Sequence, residues 1–166
     1  MTSGGRRAAG LGIIPAALIV HNVEEAVMIP PMLPVVQATL RGVIGPWATL
    51  PSAGQYVAVL VILTLAVFAL WLAALRHDGL AYGLVVFQAT MTLNVLNHIG
   101  GAVLQRGYAP GVVTALLVEA ATSVVVFRRV RRAGWMSRRQ WRWAAIWAVV
   151  LHGPVFYGLG LLVLRG

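Results

Sequence analysis

Long apolar blocks, separated by short turns, organise this chain. Five of them read as helices. The first runs over 11–28 and is apolar except for His21, Asn22, Glu24 and Glu25. The second, 55–75, is built almost wholly of Val, Leu, Ala and Ile. About 20 such residues at about 1.5 Å of rise each cover the ~30 Å of a bilayer's hydrocarbon. Arg76-His77-Asp78-Gly79 makes a turn into the third block, 80–104, which carries Gln88, Asn94, Asn97 and His98. The fourth, 110–127, carries Thr114, Glu119 and Thr122, and the fifth, 143–164, carries His152. Between the first two lies 30–54. It is too broken by proline and glycine to span and too apolar for an ordinary loop, so it reads as an interfacial segment with a short helix near Val35–Val43. Pro30, Pro31 and Pro34 are expected to end the first helix, because proline supplies no N–H.

Composition turns these helices into a membrane protein. The chain has 166 residues, one domain's worth; 60% are hydrophobic, only 10% are charged, and mean hydropathy is +0.84. A soluble domain carries roughly 25% charged residues. The expectation is therefore an all-α integral membrane bundle of about five transmembrane helices in a single domain. The net charge of +9 does not point to nucleic acid. Seven of the thirteen basic residues lie in 128–142, directly after an apolar run, as in a cytoplasmic loop. Alternation then puts Arg6, Arg7 and Arg76 on the same side, and only Arg41, Arg106 and Arg165 on the other: ten against three. The expected location is the cell membrane, multi-pass, with the N-terminus cytoplasmic and the C-terminus outside.

Candidate chemistry lies within the blocks. Of four acidic residues, Glu24, Glu25 and Glu119 fall inside predicted spans, and so do His21, His98 and His152 among four histidines. An ionisable group in hydrocarbon costs on the order of a few kcal/mol, and is kept where it faces the protein interior and finds partners. His21, Glu119 and His152 fall near mid-span; Glu24, Glu25, His98 and Thr114 fall one or two turns outward. His21, Glu24 and Glu25 share a helix face at i, i+3 and i+4, and Asn94 and His98 share one at i and i+4. Facing helices can bring such groups to one metal, and nitrogen with carboxylate oxygen suits zinc or iron. The chain has no cysteine, so thiolate ligands and nucleophiles are excluded.

Three motifs stand in order: His21-Asn22-Val23-Glu24-Glu25, Asn94-Val95-Leu96-Asn97-His98, and Tyr108-Ala109-Pro110-Gly111-Val112-Val113-Thr114. Read as H-x-x-E-E, N-x-x-x-H and Y-x-P-G-x-x-T, they resemble the HXXEE domain family of multi-span integral membrane proteins. The resemblance implies a membrane bundle and marks the motif residues as the site; it names no reaction. Each position also has an ordinary structural role. Asn94 can serve as interhelical hydrogen-bond glue, Thr114 can bond its own backbone, and His152 can cap a kink at Gly153-Pro154. Tyr108, Pro110 and Gly111 can shape the start of the fourth helix.

The functional expectation is a metal-dependent hydrolase within the membrane, acting on a lipid-like substrate that enters sideways from the outer leaflet. His21, His98 and Glu119 are the expected metal ligands. Glu24 and Glu25 are the expected catalytic carboxylates, with ligand and base not separable by spacing. Asn94, Tyr108, Pro110, Gly111, Thr114 and His152 support them. The alternatives are a proton-coupled transporter or carrier, since buried Glu and His also build proton relays, and a non-catalytic membrane subunit.

Overall fold

The computed structural model describes residues 3–46 and 49–155, and all its regular elements are helical. A short α1 (Ser3–Ala9) leads into α2 (Ile13–Ile44), followed by α3 (Ala53–Ala74) and α4 (Leu80–Leu104). Then come α5 (Val112–Thr114), a π-helical turn (Ala115–Glu119) and α6 (Ala120–Ala133), which follow one another without a break. Last is α7 (Arg138–Val150), which runs into a second π-helical stretch, Leu151–Val155. The remainder of the fifth expected span lies outside the described residues.

Local signals explain most boundaries. Ser52 starts α3 and Ser137 starts α7, each through a reciprocal capping box with the glutamine three residues on, Gln55 and Gln140. Gly134, with φ of 65°, ends α6 in the left-handed conformation that glycine reaches without penalty. Two boundaries differ from the sequence reading. The first helix does not stop at its prolines: α2 continues through Pro30, Pro31 and Pro34 to Ile44. Each proline removes one N–H bond, but the helix carries on past all three. Likewise, most of the arginine-rich stretch is helical. Arg128 to Arg132 continue α6, because arginine is a good helix former and glycine, not charge, is the terminator. Only 134–137 separate α6 from α7.

Helix α4 is central, in contact with α2, α3, the α5–α6 run and α7. One end of the bundle is tied by contacts among the chain's basic and aromatic residues. Arg7 lies over the Trp135 ring, Arg131 over Trp141, and Arg129 donates to the Gly10 carbonyl at 2.9 Å. Trp71 Nε1 donates to the carbonyl of Ala8, and Tyr82 to that of Gln140. The N-terminal arginines and the arginine-rich segment therefore share one end.

The distribution of polarity is inverted relative to a water-soluble bundle. Large apolar side chains such as Ile62, Leu65, Val103 and Leu117 stand exposed, while His21, Gln88, Thr90, Glu119, Thr122 and Ser123 are buried. Three helical segments, Gly5–Ile44, Ala53–Ala74 and Leu80–Leu104, are long and apolar enough to cross a membrane. An apolar cluster including Leu11, Ile14, Leu18, Leu84, Val85, Val126 and Val130 fills the half nearer the arginine-rich end. Asn22 ties α2 to α3 by donating to the Leu60 carbonyl and the Thr64 hydroxyl.

Candidate metal centre

His21 and Glu25 lie one turn apart on α2, and His98 faces them from α4. One nitrogen of each histidine and one carboxylate oxygen lie within 4.8 Å of one another. Glu25 presents one oxygen to each imidazole: Oε2 is 3.5 Å from His21 Nε2, and Oε1 is 3.8 Å from His98 Nε2. His21 is fully buried, while Glu25 is 16% and His98 10% exposed, so the cluster opens on the side of the latter two.

The surrounding bonds fix which nitrogen of each ring is free. Thr114 Oγ1 donates its one hydrogen to Glu24 Oε2 at 2.5 Å. It must therefore accept from His21 Nδ1, 3.0 Å away, which places the proton there. His98 Nδ1 donates to the Pro110 carbonyl at 2.8 Å. Both rings thus present a Nε2 lone pair to the shared space, where the Asn94 amide donates to both, at 3.2 and 3.1 Å. A histidine whose Nδ1–H is held by a second partner is oriented as metal-binding histidines are.

Glu24, one residue before Glu25, turns to a different task. The Tyr108 hydroxyl, the Thr114 hydroxyl and the backbone N–H groups of Val113 and Thr114 all donate to its carboxylate. Surrounded by donors, it anchors Thr114 and, through Thr114, the ring of His21. Burial, and next the hydrogen bond to Glu24, push the Tyr108 phenol up to about 12, so it remains a donor through the neutral range.

Gly111 closes the cluster from above. Its φ of 82° is left-handed, and a Cβ there would meet His98 Cε1 at 2.6 Å, Glu25 Cγ at 2.8 Å and His21 Cε1 at 3.0 Å. Glycine is thus needed twice over, for conformation and for space. Every polar position of the Tyr108–Thr114 segment that the sequence singled out has a partner on the cluster or beside it.

A family profile described as "Protein of unknown function with HXXEE motif" matches residues 12–126. The chain belongs to the HXXEE family. The matched region holds all three motifs, and in this family member they converge on one place. No curated protein and no solved structure matches the chain.

Not every residue singled out in the sequence joins the cluster. Glu119 is not among the three converging groups; its side chain lies against Gln88 of α4 instead. His152 is bonded to Asn97 at 2.7 Å. Sequence reasoning passed over Thr92 and Ser123, which bond one another at 2.9 Å beside Gln88. Their signal was the same i, i+4 spacing that marked Asn94 and His98: Gln88 with Thr92, and Glu119 with Ser123.

Proposed function

We propose that this HXXEE protein is a membrane-embedded, metal-dependent hydrolase acting on a lipid-like substrate, with a divalent ion held by His21, His98 and Glu25. The observation that carries this reading is the convergence of two Nε2 lone pairs and a carboxylate, with both Nδ1–H groups committed elsewhere. Ligands about 2.0–2.2 Å from a tetrahedral ion stand roughly 3.4 Å apart. The three groups, within 4.8 Å of one another, would draw closer around an ion to reach that value. Turning over the Asn94 amide would replace its two N–H donors with an acceptor oxygen, a further ligand atom facing the same space.

In this reading about five helices span the membrane, the arginine-rich end is cytoplasmic and the cluster lies towards the outer side. The exposed apolar side chains and buried polar ones support it, as does the gathering of N-terminal and later arginines at one end. When bound, the ion would supply Lewis-acid polarisation of a substrate ester or phosphoryl oxygen. The chain's own residues orient and move protons. Glu25 has two oxygens facing the site, so one can ligate while the other takes a proton from the attacking water. Glu24, Thr114 and Asn94 hold the imidazoles in place, and Tyr108 holds Glu24.

The test is hydrolysis of fluorogenic ester and phosphoester lipids by protein in lipid vesicles, with zinc, iron or manganese supplied. Turnover that a chelator abolishes, and that His98→Ala lacks, is expected. Equal rates for wild type and His98→Ala across those substrates would remove the hydrolase reading.

One observation favours a second reading. Glu24, Thr114 and His21 form a chain of hydrogen bonds, and Glu25 lies beside both imidazoles; buried Glu and His are the groups a proton-coupled carrier would use. That reading requires no metal, and metal content separates the two.

A further inference from the structure

Glu119 occupies a setting of its own. It closes the π-helical turn that begins after Thr114. Bonding from i to i+5 stacks residues five apart, so Thr114 and Glu119 both turn inward where an ordinary α-turn would splay them. Thr114 meets α2 and Glu119 meets Gln88 on α4. Gln88 and Glu119 are 0% and 1% exposed.

The hydrogen-bond count around this pair does not close if Glu119 is ionised. Gln88 Nε2 spends its two hydrogens on Ser123 Oγ at 2.9 Å and on Glu119 Oε2 at 3.3 Å. The Ser123 hydroxyl is turned to the backbone carbonyl of Glu119 at 2.9 Å. Two buried oxygens are left without a partner, Gln88 Oε1 and Glu119 Oε1. Both are acceptors when Glu119 is a carboxylate, and each stranded buried acceptor is costly. They sit on two side chains already joined at their other ends.

Among the described residues, no cation is paired with Glu119. The helices packed against the π turn carry His21, Glu24, Glu25 and Arg41 on α2, His98 on α4, and Arg128, Arg129, Arg131 and Arg132 on α6. His21, Glu25 and His98 face one another, Glu24 faces Tyr108 and Thr114, and these arginines are exposed.

We infer that Glu119 and Gln88 form a buried proton-binding site, in which Glu119 Oε1 carries a proton and donates it to Gln88 Oε1. One proton converts a stranded acceptor into a donor and satisfies the other stranded acceptor with the same bond. The result is a two-point acid–amide pair: amide N–H to acid carbonyl, acid O–H to amide carbonyl. The ligand of this site is a proton, and the site is distinct from the His21–Glu25–His98 cluster. It stands whether or not that cluster takes a metal.

Infrared spectroscopy of the purified protein in lipid at neutral pH reads this directly. The difference between wild type and Glu119→Gln should contain the C=O stretch of a protonated carboxyl, shifting down in heavy water. Glu119→Gln should fold and melt as wild type does, because a neutral amide replaces a neutral acid of the same shape. In Gln88→Leu, with Glu119 intact, the same band should move to higher frequency as its carbonyl loses the N–H donor. Carboxylate stretches in place of the C=O band would overturn the proton. An unshifted band in Gln88→Leu would overturn the pairing, even if Glu119→Gln proved too unstable to study.

Discussion

His21 and His98 meet edge to face, their ring centroids 4.8 Å apart and their planes at 81°. They come from different helices, 77 residues apart in the chain, yet each turns its Nδ1 outward to a fixed acceptor and its Nε2 inward. The acceptors, Thr114 and Pro110, belong to one short segment. Residues 108–114 thus act as a clamp that orients both rings at once.

Gly111→Ala is expected to damage both fold and site. Holding alanine at a left-handed φ costs about 1–2 kcal/mol, and the added methyl would press on His98, Glu25 and His21. Gly134 offers the comparison. Its φ is also positive, at 65°, but nothing lies within 4 Å of an added Cβ. Thermal melts should show both alanine variants destabilised, while metal titration should show weakened binding only for Gly111→Ala. Equal metal affinity in the two variants would contradict the placement of Gly111 over the cluster.

Thr114→Val removes the hydroxyl between Glu24 and His21 while keeping the side chain's shape. Loss of such an outer partner typically costs 10–100-fold in metal affinity, and a drop on the order of tenfold or more is expected here. Thr114→Ser should recover most of it. Tyr108→Phe should cost less, since Glu24 keeps its three donors from residues 113 and 114. Isothermal titration with zinc measures all three. A Thr114→Val protein with wild-type affinity would show that the hydroxyl does not orient His21.

Binding should weaken as pH falls. Protons and the ion compete for the same Nε2 lone pairs and the Glu25 carboxylate, so acid removes ligands and affinity rises with pH until they are deprotonated. Tyr108 sets no limit in the neutral to mildly alkaline range, because its phenol is pushed up to about 12. Titrations at stepped pH check the sign. Affinity that is flat, or that rises on acidification, would exclude imidazole and carboxylate as ligands.

The membrane reading predicts opposite sides for the two ends of the bundle. A reporter inserted after Gly134 should report the cytoplasm, and one after Gly107 or after Gly166 the outside. A cytoplasmic signal from the Gly107 insertion would overturn the orientation drawn from the ten-to-three arginine bias.

Much of this was legible in the chain itself. Long apolar blocks announced the helices, and α4 begins and ends where the sequence placed the third block. Spacing identified His21, Glu24, Glu25, Asn94 and His98 as face-sharing groups. Spacing could not separate Glu24 from Glu25, because i+3 and i+4 both lie near the face of residue i. The roughly 100° between successive residues of a helix sends one to the Thr114 clamp and the other to the imidazoles. Periodicity also could not reveal the π turn, which changes the direction of Glu119 relative to Thr114 without any residue type to mark it. The prolines of α2 misled for a different reason. Proline's cost is set by the alternatives open to the backbone, and those depend on surroundings that a local rule does not see.

The claim that His21, His98 and Glu25 hold a divalent ion is tested most directly by the metal content of purified, well-folded protein. Wild type should retain zinc, iron or manganese near one ion per chain, or bind it stoichiometrically when supplied. His21→Ala, His98→Ala and Glu25→Ala should each lose it, with melting behaviour showing that the apo fold persists. Wild-type protein that carries no such ion, and is neither bound nor stabilised by any of the three metals, would contradict the account and leave the proton-coupled reading in its place.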